Sequence, residues 1–405
     1  MEKWQLGNGL TVISEQLSNQ KTISIGLFIK VGSQDENYSY NGITHLTEHV
    51  VTSEFLENCK KLGAVVNAIT TKEYICIFVK VIDKYFEKAI SYLFHVTLYL
   101  EKNNNKLEQC KNIVMNEINE YNNNIENVLD QELFELHYGK DSLAYPIMGN
   151  TNNIKGFSID DIKNHYRNFF NPTNAVLSIV GGIDIDIITK IVNPLFINWE
   201  NTYTQKTTKY EKKVLIKGGF KNINNNINNN SSLCLCFNGV RKKSKYKSAM
   251  LVASNILNNA LYKVIREKYG ISYLAYCSPM FFVRSGILYV RIDTNNKYIN
   301  EAYNKFKEII QYISDNEIHH NDLSVAKKNI INKYIFNHET TSSKMTHYGQ
   351  SILFNIKSVL DEEVINDIEK VSARDVISVF RKCFSGKTSI ITFGKKSMVD
   401  NASLF

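Results

Sequence analysis

The residues best equipped for chemistry are His45, Glu48 and His49, in the stretch GITHLTEHVV that runs from Gly42 to Val51. On a helix of 3.6 residues per turn, positions four apart share a face, so both imidazoles project the same way with Glu48 beside the second. Two histidines so placed supply two ligands for a divalent cation; a catalytic zinc takes three or four while keeping one position open. Glu48 is then the group to accept a proton from an activated water. The order H-x-x-E-H is the inverse of H-E-x-x-H, a pattern of zinc hydrolases. With nine histidines in 405 residues, a chance match is on the order of one in a hundred. Ordinary core or surface histidines remain open as the alternative at this point.

Elements able to position such a helix recur along the chain. The runs TISIGLFIKVG (22–32) and AITTKEYICIFVKV (68–81) are rich in β-branched and aromatic residues and read as strands. Helical patterns cover 85–100, 106–121 and 158–170. The polar stretch NWENTYTQKTTKYEKK (198–213) has little to bury and reads as a linker, and NINNNINNN (222–230) as a loop. The segment FSIDDIKNHYRNFFNPTNAVLSIVGG, from Phe157, has a counterpart in VSARDVISVFRKCFSGKTSIITFG, from Val371. Each has a Ser-x-x-Asp helix start, an apolar helix ending in Phe, a turn, and a strand ending in Gly. The expected fold is α+β, with two related domains, each an antiparallel-rich sheet with helices on one face. Their bounds are 1–200 and 215–405, joined by a linker at 201–214.

Composition narrows the function classes. A chain with 43% hydrophobic residues can bury one or two sizeable cores. The net charge of +8 comes from 48 basic against 40 acidic residues spread along the chain, without the dense clusters of a nucleic-acid surface. Seven cysteines form an odd, irregularly spaced set whose close pair, Cys234 and Cys236, lies in a strand-like run, so reduced thiols in a cytoplasmic protein are expected. MEKWQLGNGLTVISE opens on a turn and a strand-like run, so neither a secretory signal nor a transit peptide is expected. The apolar window from Ala175 is broken by Gly181, Gly182, Asp184 and Asp186, short of the roughly 18 residues a membrane span needs. A soluble protein without membrane or nucleic-acid partners is the expectation. The remaining histidines, His95, His137, His165, His319, His320, His338 and His347, lack a ligand pattern and read as solvated or structural.

Five blocks in order, LGNGLTVISE, IGLFIKVGSQDENYSYNGITHLTEH, LGAVVNAITTKEYICIFVKV, HYGKDSLAYPIMGNTNNIKGFS and IREKYGISYLAY, resemble the insulinase/pitrilysin zinc peptidases. The similarity is to the short type, like mitochondrial processing peptidase and its bacterial relatives. It implies a zinc-dependent (Zn2+) endopeptidase acting on short or unfolded peptides, with processing and leader peptides among the candidates. The third ligand in that family lies in a segment like IVMNEINEY, which makes Glu117 the ligand here, with Glu120 one turn along as the second choice. The spacing from His49 to Glu117 is shorter than the family shows, with the shortfall placed just after EHVV. Cys110 stands where the family carries a further acidic residue, as an inert thiol or a fourth ligand. Asn67 and Ala68 match the strand whose edge pairs with substrate. Arg266 and Tyr273 match residues used against substrate and the developing oxyanion, although Ala260 replaces an arginine common nearby. The resemblance also implies half of a clamshell, completed by a second copy or a related subunit whose Arg266 and Tyr273 element reaches the opposite zinc. A non-catalytic binding or scaffold subunit is the rival reading.

Overall fold

Period-two alternation of apolar residues builds the first sheet. The computed structural model describes residues 1–98, 106–200, 214–224, 229–357 and 360–395. Its first six strands are β1 (Glu2–Gln5), β2 (Thr11–Gln16), β3 (Thr22–Ile29), β4 (Val65–Thr70), β5 (Ile75–Ile82) and β6 (Ala175–Gly181). They form one sheet in the order β1-β2-β6-β3-β5-β4, antiparallel except for the β2–β6 pair. Along β3, Ile23, Ile25, Leu27 and Ile29 are fully buried on one face. Against that face pack α1 (Ile43–Lys61), α2 (Phe86–Val96) and α3 (Leu107–Asn123). The expected strand at 68–81 is a hairpin: the Thr71 hydroxyl accepts from the amides of Glu73 and Tyr74 (3.1 and 3.0 Å) and turns the chain between β4 and β5.

After α4 (Ile125–Tyr138), the helices α5 (Thr151–Gly156), α6 (Ile159–Phe169) and α7 (Ile185–Phe196) return to the first unit. The second sheet holds β7 (Gly219–Asn224), β8 (Asn230–Asn238), β9 (Ser272–Phe281), β10 (Gly286–Asn295) and β11 (Ser389–Gly394), in the order β7-β11-β8-β10-β9. One pair, β7–β11, is again parallel. One face carries α8 (Lys247–Leu261), α9 (Ile299–Asp315), α10 (His320–Asn337), then α12 (Asp361–Glu369) and α13 (Ala373–Phe384). The helix starts read from Ser-x-x-Asp are reciprocal caps: the Asp161 amide donates to Ser158 Oγ (3.2 Å) while Ser158 N donates to Asp161 Oδ2 (2.8 Å). Ser372 and Asp375 repeat the arrangement at 3.2 and 2.9 Å.

The opposite face of each sheet is covered by one helix from the other half of the sequence. On the first sheet lies α11 (Thr341–Leu353), where Thr341 Oγ1 meets Ser24 Oγ at 2.8 Å and the Ser178 hydroxyl donates to the Met345 carbonyl at 2.8 Å. On the second sheet lies α4, where Leu129 and Leu133 pack with Cys234, Cys236 and Ile391. One compact unit therefore comprises 1–122, 145–209 and 337–359, and the other 123–144, 210–336 and 360–405. The boundary expected in the chain kept each half whole, because the repeat is local to α6–β6 and α13–β11 and carries no information on which sheet a helix covers. Of the expected linker, 201–213 lie outside the described residues, as do 225–228 of the asparagine run, whose ends belong to β7 and β8. No helix among the described residues is long and apolar enough to cross a membrane.

Candidate metal centre

Helix α1 begins where only glycine fits. Gly42 has φ 99°, and a Cβ there would stand 2.8 Å from Gly149 Cα and the Met148 carbonyl oxygen. A glycine cap offers no side chain to the free amides of the first turn, and Glu36 supplies the acceptors. Its Oε2 accepts from Asn41 Nδ2 (2.8 Å) and the Gly42 amide (2.9 Å), and its Oε1 from the Thr44 amide (2.8 Å). Leu46, Val50, Val51 and Phe55 anchor the helix in the core. The same helix buries Thr44, His45, Thr47, Glu48 and Thr52, polar residues that blur its apolar periodicity.

Helix α3 is set by Leu107, Cys110, Val114 and Ile118, all buried, and it brings Glu117 over α1. Glu117 Oε2 lies 3.3 Å from His49 Nε2 and 3.7 Å from His45 Nε2, and the two Nε2 atoms are 3.2 Å apart. Two ligands on a tetrahedral zinc, each about 2.05 Å from the ion, stand roughly 3.3 Å apart. The three side chains therefore fit zinc in both donor type and spacing. Glu120 is exposed and outside the cluster. Cys110 is buried outside it as well, its thiol pushed up to about 11 by burial, so it stays protonated and a poor ligand near neutrality.

Burial sets the charge states. It pulls His45 down to about 4, helped by His49 and opposed by Glu117, so the imidazole is neutral with its lone pair free. Burial also lowers His49, but the hydrogen bond to Glu117 and the charges of Glu48 and Glu117 outweigh it, and His49 rises. That hydrogen bond holds Glu117 below the usual carboxylate range. Loading a cation therefore displaces the His49 proton. Burial raises Glu48 while His49 and the Thr70 hydroxyl, donating to Glu48 Oε2 at 3.0 Å, resist the rise. Thr52 Oγ1 donates to the Glu48 carbonyl at 2.7 Å. Glu48 is thus a buried carboxylate of raised basicity one residue from a ligand, the property a proton acceptor needs. His45 Nδ1, in contrast, is buried with no hydrogen-bond partner among the described residues.

The other residues singled out in the sequence lie on named elements. Asn67 and Ala68 are in β4, the edge of the first sheet beside β5, with the Ala68 amide donating to Asn67 Oδ1 at 3.0 Å. Tyr273 is in β9, the edge of the second sheet, and is 64% exposed. Arg266 lies in the π-helical segment Tyr262–Lys268, its guanidinium 5.2 Å from the centre of the Tyr262 ring. Sequence reasoning passed over Glu36, Thr44 and Thr70, and read His165 as solvated or structural. The signal for Glu36 was present in the glycine that opens α1, since a helix without a capping side chain takes its acceptor from elsewhere.

Comparison with known proteins covers the same ground. The family model described as insulinase (peptidase family M16) matches residues 11–151, and that described as the peptidase M16 inactive domain matches 156–330. The "uncharacterized zinc protease YmxG" of Bacillus subtilis is 26% identical over 95% of this chain and 96% of its own. The mitochondrial-processing peptidase subunit beta of Saccharomyces cerevisiae is 20% identical over 98% and 92%. A protease from Helicobacter pylori superposes with TM-score 0.87 at 18% identity, covering 97% of this chain and 99% of that one. The peptidase M16 inactive domain from Pseudomonas fluorescens gives 0.86 at 16%, with 98% of each covered.

Proposed function

From the premise that this chain belongs to the insulinase (M16) family of peptidases, we propose that it is a zinc endopeptidase hydrolysing short or unfolded peptides. The observation that carries this reading is the convergence of His45, His49 and Glu117 at zinc-compatible spacing, with Glu48 on the same helix. Zinc held there supplies a Lewis acid that polarises a carbonyl and makes water acidic near neutral pH. Glu48 takes the proton from the attacking water on its carboxylate and returns it to the leaving amine, while Thr70 holds that carboxylate in place. The edge of β4 around Asn67 and Ala68 aligns an extended peptide through main-chain hydrogen bonds. Tyr273 and Arg266, contributed by a second copy or a related subunit, steady the oxyanion in a dimeric chamber. The mitochondrial relative is itself named as one subunit of its enzyme. Seven free cysteines fit a cytoplasmic setting.

The test combines metal analysis with hydrolysis of an unfolded peptide by wild type and Glu48→Gln. About one zinc per chain, turnover by wild type and none by the variant are expected; a fully active variant refutes the mechanism. Cys110 in place of an acidic residue favours a second reading, a non-catalytic subunit. That reading predicts no zinc after gentle purification.

A further inference from the structure

We propose that Glu36, Thr44 and His165 form a buried hydrogen-bonded chain that positions His45 by clamping the first turn of α1. This rests on the metal-centre reading above. A metal-ligating histidine is ordinarily oriented by a hydrogen bond from its second nitrogen. His45 Nδ1 has no such partner among the described residues, so the ring takes its direction from packing and from the backbone that carries it. That backbone is the turn held by Glu36.

Three donors lie at hydrogen-bond distance from the Glu36 carboxylate, Asn41 Nδ2, the Gly42 amide and the Thr44 amide, and the Thr44 hydroxyl beside them lowers its pKa further. Thr44 is the residue immediately before His45. Its hydroxyl also lies 3.1 Å from His165 Nε2 on α6. This contact ties Thr44 to α6, with the donor set by the His165 tautomer. Burial holds His165 down at about 3, so its ring is neutral throughout the working range. The chain therefore runs from α6 through Thr44 into the cap, and ties the helix that carries two ligands to a second helix.

Glu36 supports the assignment through its charge. Burial raises it to about 7 against those hydrogen bonds. The groups that hydrogen-bond to it are donors. The ionised form thus matches the cradle, and a proton on either oxygen meets an N–H already pointing at it. The clamp tightens as pH rises through neutrality. Removing one donor must move that midpoint upward, a displacement that simple loss of packing does not produce.

Thr44→Val keeps the shape and deletes the hydroxyl; Thr44→Ser restores it. Zinc affinity is read by competition with a chromophoric chelator between about pH 6 and 8.5, a range bracketing the Glu36 midpoint. Glu36 itself is titrated by carbon-13 NMR in metal-free protein. The valine variant is expected to raise the Glu36 midpoint and weaken zinc binding by about ten-fold, and the serine variant to return both toward wild type. If the valine variant does not fold, His165→Leu makes the same test from α6, with a smaller upward shift. Unchanged zinc affinity or an unmoved midpoint overturns the positioning role alone. A wild-type protein that binds no zinc overturns the metal-centre reading and this role with it.

Discussion

The two units share a strand order, β2-β6-β3-β5-β4 against β7-β11-β8-β10-β9, a parallel pair in matching places and the same serine–aspartate cap, but the cluster of His45, His49 and Glu117 lies in the first. The helix after β3 is α1, with His45, Glu48 and His49; the helix after β8 is α8, KSAMLVASNILNNAL, without a histidine, cysteine or acidic residue. Helix α8 buries Met250, Val252, Ile256 and Leu257, whereas α1 gives part of its buried face to ionisable groups. Backbone architecture is thus common to both copies, and both bury charged groups; in the second Arg291 and Asp293 neutralise each other, whereas in the first His45, Glu48 and His49 gather on one helix. Such groups are destabilising unless something pairs with them.

The sharpest break between the copies is Glu48→Gln, which is expected to cut peptide turnover by about 10²- to 10⁴-fold with zinc content unchanged. Fluorogenic peptide kinetics and metal analysis read both. Because burial raises Glu48, its ionisation weakens the metal-free fold as pH rises above 4.5. The glutamine variant should therefore melt higher than wild type at pH 8 once zinc is stripped. No substitution in α8 is expected to show that combination of lost activity and gained stability.

Acid should act on a buried histidine outside the metal cluster in each copy. Each has a buried neutral histidine: His165 in the first unit, pushed to about 3, and His137 in the second, pushed to about 4, both by burial. As pH falls below 6.5 the unfolded chain takes up protons that the folded one refuses, so stability is full above that value and declines toward pH 4. The loss is about 3 kcal/mol for each residue at pH 4. Urea unfolding of His137→Gln and His165→Gln across that range should show flatter profiles than wild type, and parallel slopes would contradict the assignment.

Within the first unit, two helical glycines set a packed position against an open one. A Cβ at Gly349 on α11 would stand 2.1 Å from the Phe28 ring, whereas at Gly156 nothing lies within 4 Å. Gly349→Ala should destabilise by about 1 to 3 kcal/mol, and Gly156→Ala by almost nothing, measured by chemical denaturation. The smallest effect tests what the copies share. Ser158→Ala and Ser372→Ala should each cost about 1 kcal/mol, and clearly unequal thermal shifts would argue against equivalent caps.

Much of this was legible in the chain. Caps, alternation and the helix-spaced histidines are local patterns, so α6, α13, β3 and the face shared by His45 and His49 follow from adjacent residues. The choice of Glu117 over Glu120 depended on family resemblance, because helical spacing alone leaves both near one face; the buried partners Val114 and Ile118 decide which carboxylate turns inward. The hairpin inside 68–81 was missed because Thr71 makes its turn with a hydroxyl and without glycine or proline. Glu36 was missed because its three hydrogen-bond donors converge only after Gly42 reverses the chain. The assignment of α4 and α11 was illegible in principle, since a helix pattern specifies an apolar face and not the sheet that receives it.

That exchange bears on how the molecule is made. During synthesis the face of the first sheet bearing Phe28 must wait for residues 341–353, which are made long after β6 completes that sheet. A fragment stopping near residue 200 would expose that face and strand α4 without its receiving sheet. Between those two points the nascent chain carries an uncovered sheet face, which a chaperone can shield or a neighbouring nascent chain can seize.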